Sequence, residues 1–467
     1  MLPPFDPWWT AIVASDAAWA AYAGADALAV RRSRRLRDLL SSAARDSPFY
    51  RRLLKGLDLS SAGLQNLPVV RKAELMRHLD DWVTDPRIRL EDLRSFVADR
   101  SRIAEPFLGS YMVWESSGSS GEPGIFVQDA AAMAVYDALE ALRRPAPRPL
   151  QRLFDPWYLG ERVAFVGATG GHFASSVSAQ RLRRLNPALA SSLQEISFLQ
   201  ATDRLVNELH ALSPTVLSTY PNVAVMLAEE RIAGRLRIEP KEVWTGGETL
   251  SPSMRRFVRQ AFGCPVVDSY GASEFLSLAS ECHCGCLHLN SDWAILESVD
   301  GQGRAVPADE IGATSLLTNL ANRVQPLIRY DLGDRIKVHS QSCTCGSYLP
   351  VIEVQGRSDD PLLLRAPGRR EVRVLPLALT TVLEDEAGLF DFQLEQQGPH
   401  DLRLQTPMKG EPAEASLRRS RTVLQAFLAL QGVPGVRIHC RSGQPSRRGR
   451  SGKIQRIIGP TSQVLPR

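Results

Sequence analysis

From residue 162 onward, short β-branched apolar runs alternate with segments whose apolar residues recur at helical spacing. Val163-Ala164-Phe165-Val166, Thr215-Val216-Leu217-Ser218, Val243-Trp244 and Val266-Val267 have the composition of buried strands. Between them, Leu205, Leu209 and Leu212 fall on one helical face, and Val223, Met226 and Leu227 begin a second. Met254, Phe257, Val258 and Ala261 form a third, with Ser251-Pro252 to open the helix and Gly263 to close it. Strand and helix in alternation predict an α/β fold built on a parallel sheet. Ligands of such sheets bind beyond the carboxyl ends of the strands, which Gly170-Gly171, Tyr220-Pro221, Gly246-Gly247 and Tyr270-Gly271 mark here. These loops are therefore expected to converge on one crevice.

The flanks differ in character. Residues 1–100 are mostly helical in pattern, Ala- and Leu-rich from residue 10 and broken at Ser47-Pro48 and Leu67-Pro68, as befits a packing layer. After Gly356 come hairpin-like strands at Leu362-Leu363-Leu364 and over residues 371–375, a helix over residues 376–384 and an Arg/Gly-rich tail. The expected organisation is a large domain over residues 1–355 with mainly parallel sheets and flanking helices. A small α+β domain over residues 356–467 follows it without a long linker.

Composition narrows the class. A chain of 467 residues that is 44% apolar and 23% charged can bury a large core, which excludes a disordered or fibrous protein. A formal charge of +5 is small for this length and admits an anionic substrate without requiring nucleic acid. The cluster Arg31-Arg32-Ser33-Arg34-Arg35-Leu36-Arg37 shares its segment with Leu39 and Leu40 at helical spacing, so most of its arginines are expected on a solvated face. No apolar run is long enough to cross a bilayer. The apolar residues 8–15 sit between Asp6 and Asp16, without the order of a secretory leader. The expectation is a cytoplasmic protein with neither a nucleic-acid nor a membrane partner.

Two clusters carry chemistry. Trp114-Glu115-Ser116-Ser117-Gly118-Ser119-Ser120-Gly121-Glu122-Pro123-Gly124 lies between the apolar runs Tyr111-Met112-Val113 and Ile125-Phe126-Val127. Small residues and hydroxyls let backbone N–H groups close around phosphate oxygens, although a hairpin connection has the same composition. No lysine follows Gly121, which removes the kinase and GTPase type of phosphate loop. Separately, five of the seven cysteines are Cys282, Cys284, Cys286, Cys343 and Cys345, and His283 and His288 lie among them. That is a metal-binding pattern suited to tetrahedral zinc in a reducing compartment rather than a disulfide framework, with unliganded thiols as the alternative.

The segment Ser116-Ser117-Gly118-Ser119-Ser120-Gly121-Glu122-Pro123 resembles the phosphate loop of the adenylate-forming superfamily, especially its phenylacetate–coenzyme A ligase branch. Other segments match in the same order. Gly246-Gly247-Glu248 resembles the adenine loop, and Asp268-Ser269-Tyr270-Gly271-Ala272-Ser273-Glu274 the Tyr-Gly-x-Thr-Glu motif. Arg329-Tyr330-Asp331-Leu332-Gly333-Asp334 resembles Arg-Tyr-x-Thr-Gly-Asp, Gly356-Arg357-Ser358-Asp359-Asp360 the domain hinge, and Gly452-Lys453-Ile454-Gln455-Arg456 the terminal lysine motif. The resemblance spans residues 45–457. Ser120, Gly124, Ser273 and residues 366–372 depart from the usual pattern.

The resemblance implies an enzyme that activates a carboxylic acid, aryl or apolar, as its acyl adenylate with ATP and Mg2+, then passes it to coenzyme A. An amine or carrier protein is the alternative acceptor, and a non-catalytic nucleotide-binding relative the alternative class. By the same resemblance, residues 116–121 hold the β and γ phosphates, Glu274 binds magnesium, and Lys453 bridges the carboxylate and the α-phosphate. Asp334 receives the ribose, Tyr270 faces the adenine, and Arg357 joins the nucleotide site. Asp359 is the hinge on which a mobile C-terminal domain turns between two half-reactions. The loop at residues 166–173 is read as substrate-side, with His172, Tyr220 and Trp157 bordering the acyl pocket. Structural zinc is implied at Cys282, His288, Cys343 and Cys345, with Cys284 and Cys286 as alternates. Neither the particular acid nor an oligomeric state is specified by these motifs.

Overall fold

The computed structural model describes residues 2–59, 63–116, 123–144, 147–155, 158–355, 361–367, 370–444 and 456–459. The alternation read from residue 162 folds as five parallel strands, in the spatial order Leu193–Ser197, Val163–Gly167, Val216–Thr219, Glu242–Thr245 and Val266–Ala272. Four antiparallel strands extend this sheet: Phe275–Glu281, Leu287–Leu289, Val351–Gln355 and Arg335–Val338. Helices Thr202–Leu212, Pro221–Ile232 and Pro252–Phe262 make crossovers between the parallel strands and bury Leu209, Leu227 and Val258. The last of them obeys its punctuation: the Ser251 hydroxyl accepts from Met254 N at 3.2 Å, and Gly263 ends it at φ +69°.

The N-terminal layer is helical, as its pattern predicts, with long helices Pro7–Ala20 and Ala25–Asp46. Asp6 caps the first, and Ser47 caps Pro48–Leu53. Arg35 departs from the solvated face expected for its cluster. It is buried, donates to the Asp292 carbonyl at 2.7 Å, pairs with Asp16 and lies over the Trp293 ring. Tyr50, Trp82, Phe96, Trp114 and Phe275 belong to the core that joins this layer to the antiparallel half of the sheet.

Beyond residue 360, the hairpin Leu362–Arg365 with Glu371–Val374 leads into helix Pro376–Thr381 and a π-type turn, Val382–Glu386. A four-stranded sheet follows, ordered Arg437–Arg441, Asp401–Gln405, Gln393–Gly398 and Ile457–Ile458, with helix Glu411–Leu430 against it. Leu362, Leu379 and Phe392 are continuous with the core of the parallel sheet. Arg373 also pairs with Glu229 at 2.7 Å. Among the described residues, no helix is long and apolar enough to cross a membrane.

Candidate active site

The carboxyl ends of the parallel strands open onto a crevice of about 2550 Å³. Every described candidate for nucleotide binding lines it: Ser116, Gly246, Gly247, Glu248, Asp268, Ser269, Tyr270, Gly271, Ser273, Glu274 and Asp334. Ser117, Gly118, Ser119, Ser120, Gly121, Trp157, Arg357, Asp359 and Lys453 lie outside the described residues. Arg456, in the same terminal motif as Lys453, lines the crevice together with Thr380 and Thr381, three residues for which the sequence suggested no role.

The base of the glycine-rich loop is a closed hairpin. Met112–Glu115 pairs antiparallel with Ile125–Gln128. Beyond that pairing, Ser116 N donates to the Gly124 carbonyl at 2.8 Å, and Gly124 N donates to Ser116 Oγ at 2.9 Å. Trp114 Nε1 donates to the Ser273 carbonyl at 2.8 Å, fixing this hairpin against the turn that carries Glu274. Burial pushes the Glu115 carboxyl up to about 7, and the neighbouring charges of Asp385 and Glu384 add to the effect.

That turn joins Val266–Ala272 to Phe275–Glu281, with a register shift between Tyr270 and Ala272. Gly271 sits at the shift, where a Cβ would collide with the Leu276 carbonyl oxygen. The Tyr270 hydroxyl donates to Asp334 Oδ2 at 2.8 Å, and the Tyr330 hydroxyl donates to Glu274 Oε1 at 2.8 Å. Asn319 Nδ2 holds the Glu274 carbonyl at 2.9 Å. Burial raises the Glu274 carboxyl above its ordinary value, while the Tyr330 bond works in the opposite direction. Asp268 accepts from Thr245 Oγ1 at 2.7 Å, and burial pushes its carboxyl up to about 7.

The Gly246-Gly247 turn needs its glycines. A Cβ on Gly246 would stand 2.9 Å from Ser269 Oγ; Gly247 has φ +77° and faces the Tyr220 ring. Glu248 Oε2 accepts from Asn222 N at 3.1 Å and from Asn222 Nδ2 at 3.0 Å, tying this loop to the start of helix Pro221–Ile232.

His172 does not line the crevice. It is buried, its Nε2 is 3.1 Å from the Asp99 carbonyl, and its ring meets Phe96 edge-on. Burial holds the imidazole below its ordinary value, and the contact with the Asp99 carbonyl works in the opposite direction. The His172 carbonyl does accept from Glu115 N at 2.7 Å, so the backbone, rather than the side chain, supports the site. Tyr220 does line the crevice, with its ring edge-on to Phe198.

Arg329 is a staple rather than a ligand group. It is buried at φ +48° and donates to the carbonyls of Gln65, Leu67 and Gly303 and to Glu297 Oε2 at 3.0 Å. Tyr330 is thereby held where it reaches Glu274. The motif containing both residues was visible in the sequence, but their division of labour was not.

At the far side of the antiparallel strands, ligand atoms of Cys282, His288, Cys343 and Cys345 all lie within 4.8 Å of one another. Cys282 Sγ and Cys343 Sγ are 3.7 Å apart. A zinc tetrahedron with Zn–S bonds of about 2.3 Å has an S···S edge of about 3.8 Å. Cys345 Sγ is 3.3 Å from His288 Nε2, while His288 Nδ1 faces the Leu349 carbonyl at 2.8 Å. A proton on Nδ1 leaves the Nε2 lone pair for a metal, so the donor set fits zinc. Cys284 is exposed and Cys286 accepts Cys282 N through its backbone carbonyl; neither belongs to the four-ligand group.

A family model described as AMP-binding enzyme matches residues 191–312, which contain the Gly246-Gly247 turn and the Glu274 hairpin. The chain is 27% identical over 369 residues to a phenylacetate–coenzyme A ligase of Thermus thermophilus, covering 75% of this chain and 73% of that protein. It is 24% identical over 399 residues to the phenylacetate–coenzyme A ligase of Escherichia coli, covering 81% and 79%. Among solved structures, 2-hydroxyisobutyryl-CoA ligase in complex with 2-HIB-AMP and CoA has a TM-score of 0.58 and 20% identity, over 94% of this chain and 91% of that one. At that identity the likeness is one of fold. The matched region, the relatives and the fold agree: the chain carries a segment that matches AMP-binding enzymes over residues 191–312, and along most of its length it is similar to phenylacetate–coenzyme A ligases.

Proposed function

We propose that this protein activates a carboxylic acid with ATP and transfers the acyl group to coenzyme A. The observation that carries this reading is the meeting of three separate segments at one point: Tyr270 on Asp334, Tyr330 on Glu274, and Trp114 on the Ser273 carbonyl. In the first half-reaction a carboxylate oxygen attacks the α-phosphorus, and pyrophosphate leaves. In the second, the thiolate attacks the acyl carbonyl, and AMP leaves.

Ser116 and the segment following it hold the outgoing phosphates, Tyr270 and the Gly246-Gly247 turn receive the adenine, and Asp334 accepts from the ribose hydroxyls. Glu274 offers a hard oxygen donor whose burial favours a nearby cation, which fits magnesium. Bound there, magnesium would neutralise charge on the phosphates. Lys453 neutralises the two reacting anions. Its domain, residues 356–467, turns about Asp359 between the half-reactions, relative to residues 1–355. Met133, Tyr136, Phe165, Tyr220 and Trp244 wall the crevice, which suits an aryl or apolar acid. Zinc at Cys282, His288, Cys343 and Cys345 is structural, and the enzyme works in the cytoplasm.

The test is an ATP–pyrophosphate exchange screen across aryl and aliphatic acids, followed by coenzyme A addition and mass detection of the thioester. Exchange with one class of acid and a thioester product are expected. Exchange without thioester moves the acceptor to an amine or carrier protein. Exchange with no acid overturns the enzymatic reading.

A further inference from the structure

Residues 116–124 contain Ser, Gly, Glu122 and Pro123 but no cation, although a loop that releases pyrophosphate must hold several negative charges. The charge therefore has to enter from outside the loop. Lys72 opens helix Lys72–Arg77, is half-buried, and lines the crevice alongside Ser116 and Glu274. Its Cδ stands 3.2 Å from the point where a Cβ on Gly124 would lie. The edge of the Phe126 ring is 3.0 Å from that same point. Position 124 is thus filled by the Phe126 ring and the lysine stem. A Cβ there would press on both by a few tenths of an ångström, and the lysine stem runs beside the space that the glycine leaves.

We propose that Lys72 is the cation that holds the β and γ phosphates of ATP, and the departing pyrophosphate, at the base of the glycine-rich loop. The inference rests on the nucleotide-binding reading of the crevice. A flexible ammonium suits the task, because it follows the phosphates as a point charge while they move from bound ATP to leaving group. Its charge already reaches Glu274, where it opposes the effect of burial. Cation and magnesium-binding carboxylate therefore flank the same phosphates.

The other described cations named on the crevice face groups of the fold away from the base of the loop. Arg181 pairs with Asp137 at 2.9 Å, Arg255 with Glu281 at 3.0 Å and Arg456 with Glu384 at 2.6 Å. Arg144 lies over the Trp244 ring, and Arg335 donates to the Gly312 carbonyl at 3.1 Å. Arg71, beside Lys72, is largely exposed and 3.9 Å from Asp331.

The experiment compares the full chain with Lys72→Met, which keeps the apolar stem and loses the charge, and with Lys72→Arg, which keeps the charge. Equilibrium binding of ATP, pyrophosphate and AMP is measured with magnesium present, and thermal unfolding checks that each variant is folded. In Lys72→Met, ATP and pyrophosphate binding should weaken by about tenfold to hundredfold, while AMP binding stays within about twofold. Lys72→Arg should recover most of the loss. ATP binding at the wild-type level in Lys72→Met overturns the proposal. An equal loss of AMP binding also overturns it, because it would mark a general packing role. A wild-type protein that binds neither ATP nor AMP defeats the nucleotide reading itself, a result distinct from either of these.

Discussion

The Tyr330 hydroxyl donates to Glu274 Oε1 at 2.8 Å, across 56 residues of sequence. Burial raises the Glu274 carboxyl, and this bond to its oxygen lowers it again. Removing the hydroxyl with Tyr330→Phe takes away the first of the contacts that oppose burial, so the anion forms only at a higher pH. The acid limb of kcat/KM should move upward in pH, and half-saturation by magnesium should need more metal. A pH profile at high and low magnesium checks this. A limb that stays in place while Tm falls would make Tyr330 purely structural.

Gly271 permits the turn that carries Glu274. A methyl group there would run into the Leu276 carbonyl oxygen, which is backbone and cannot rotate away. Gly271→Ala should therefore open the register between Val266–Ala272 and Phe275–Glu281, at a cost of about 2–4 kcal/mol. The expected outcome is a lower Tm together with loss of exchange activity. A variant with wild-type Tm and activity would show that the hairpin relaxes around the methyl group.

Legibility in the sequence followed the range of the interaction. Ser251 and Gly263 act within one helix, so their caps could be read directly. The parallel strands were legible where apolar runs were continuous, but edge strand Leu193–Ser197 was not, because only Ile196 is buried there. The antiparallel extension depends on Leu287–Leu289 pairing with Val351–Gln355, a contact that no local pattern specifies. His172 was misplaced for the same reason. Its loop follows a strand end, but its partners Phe96 and Asp99 come from the helical layer far upstream. The four metal-ligand candidates were readable because thiolate and imidazole chemistry restricts which residues can serve.

Cys282, His288, Cys343 and Cys345 link neighbouring strands, since Val351 pairs with His288 in register. Metal there would hold the hairpin end after Glu281 to the loop before Val351. Purified protein should contain about one equivalent of zinc, and chelation should lower Tm by several degrees. Cys343→Ser and Cys345→Ser should each lose the metal, whereas Cys284→Ser should retain it, because Cys284 is exposed and outside the group. Elemental analysis of the variants decides the ligand set. Metal retained by Cys345→Ser and lost by Cys284→Ser would reverse it.

Arg456 and Lys453 belong to one terminal motif but are expected to fail in different ways. Arg456 Nη1 is 2.6 Å from Glu384 Oε1 with both side chains 5% exposed, and Nη2 donates to the Phe390 carbonyl at 2.7 Å. Arg456→Ala would take the guanidinium away from a buried carboxylate, at about 3–5 kcal/mol, so stability and both half-reactions should fall together. Lys453→Ala removes charge from the reacting anions alone. It should reduce ATP–pyrophosphate exchange at least about a hundredfold, with Tm unchanged and thioester formation from supplied acyl-AMP retained. Comparing the two variants separates charge stabilisation of the first step from simple loss of the fold. Exchange that persists in Lys453→Ala, or loss confined to the thioester step, would remove Lys453 from the role assigned to it.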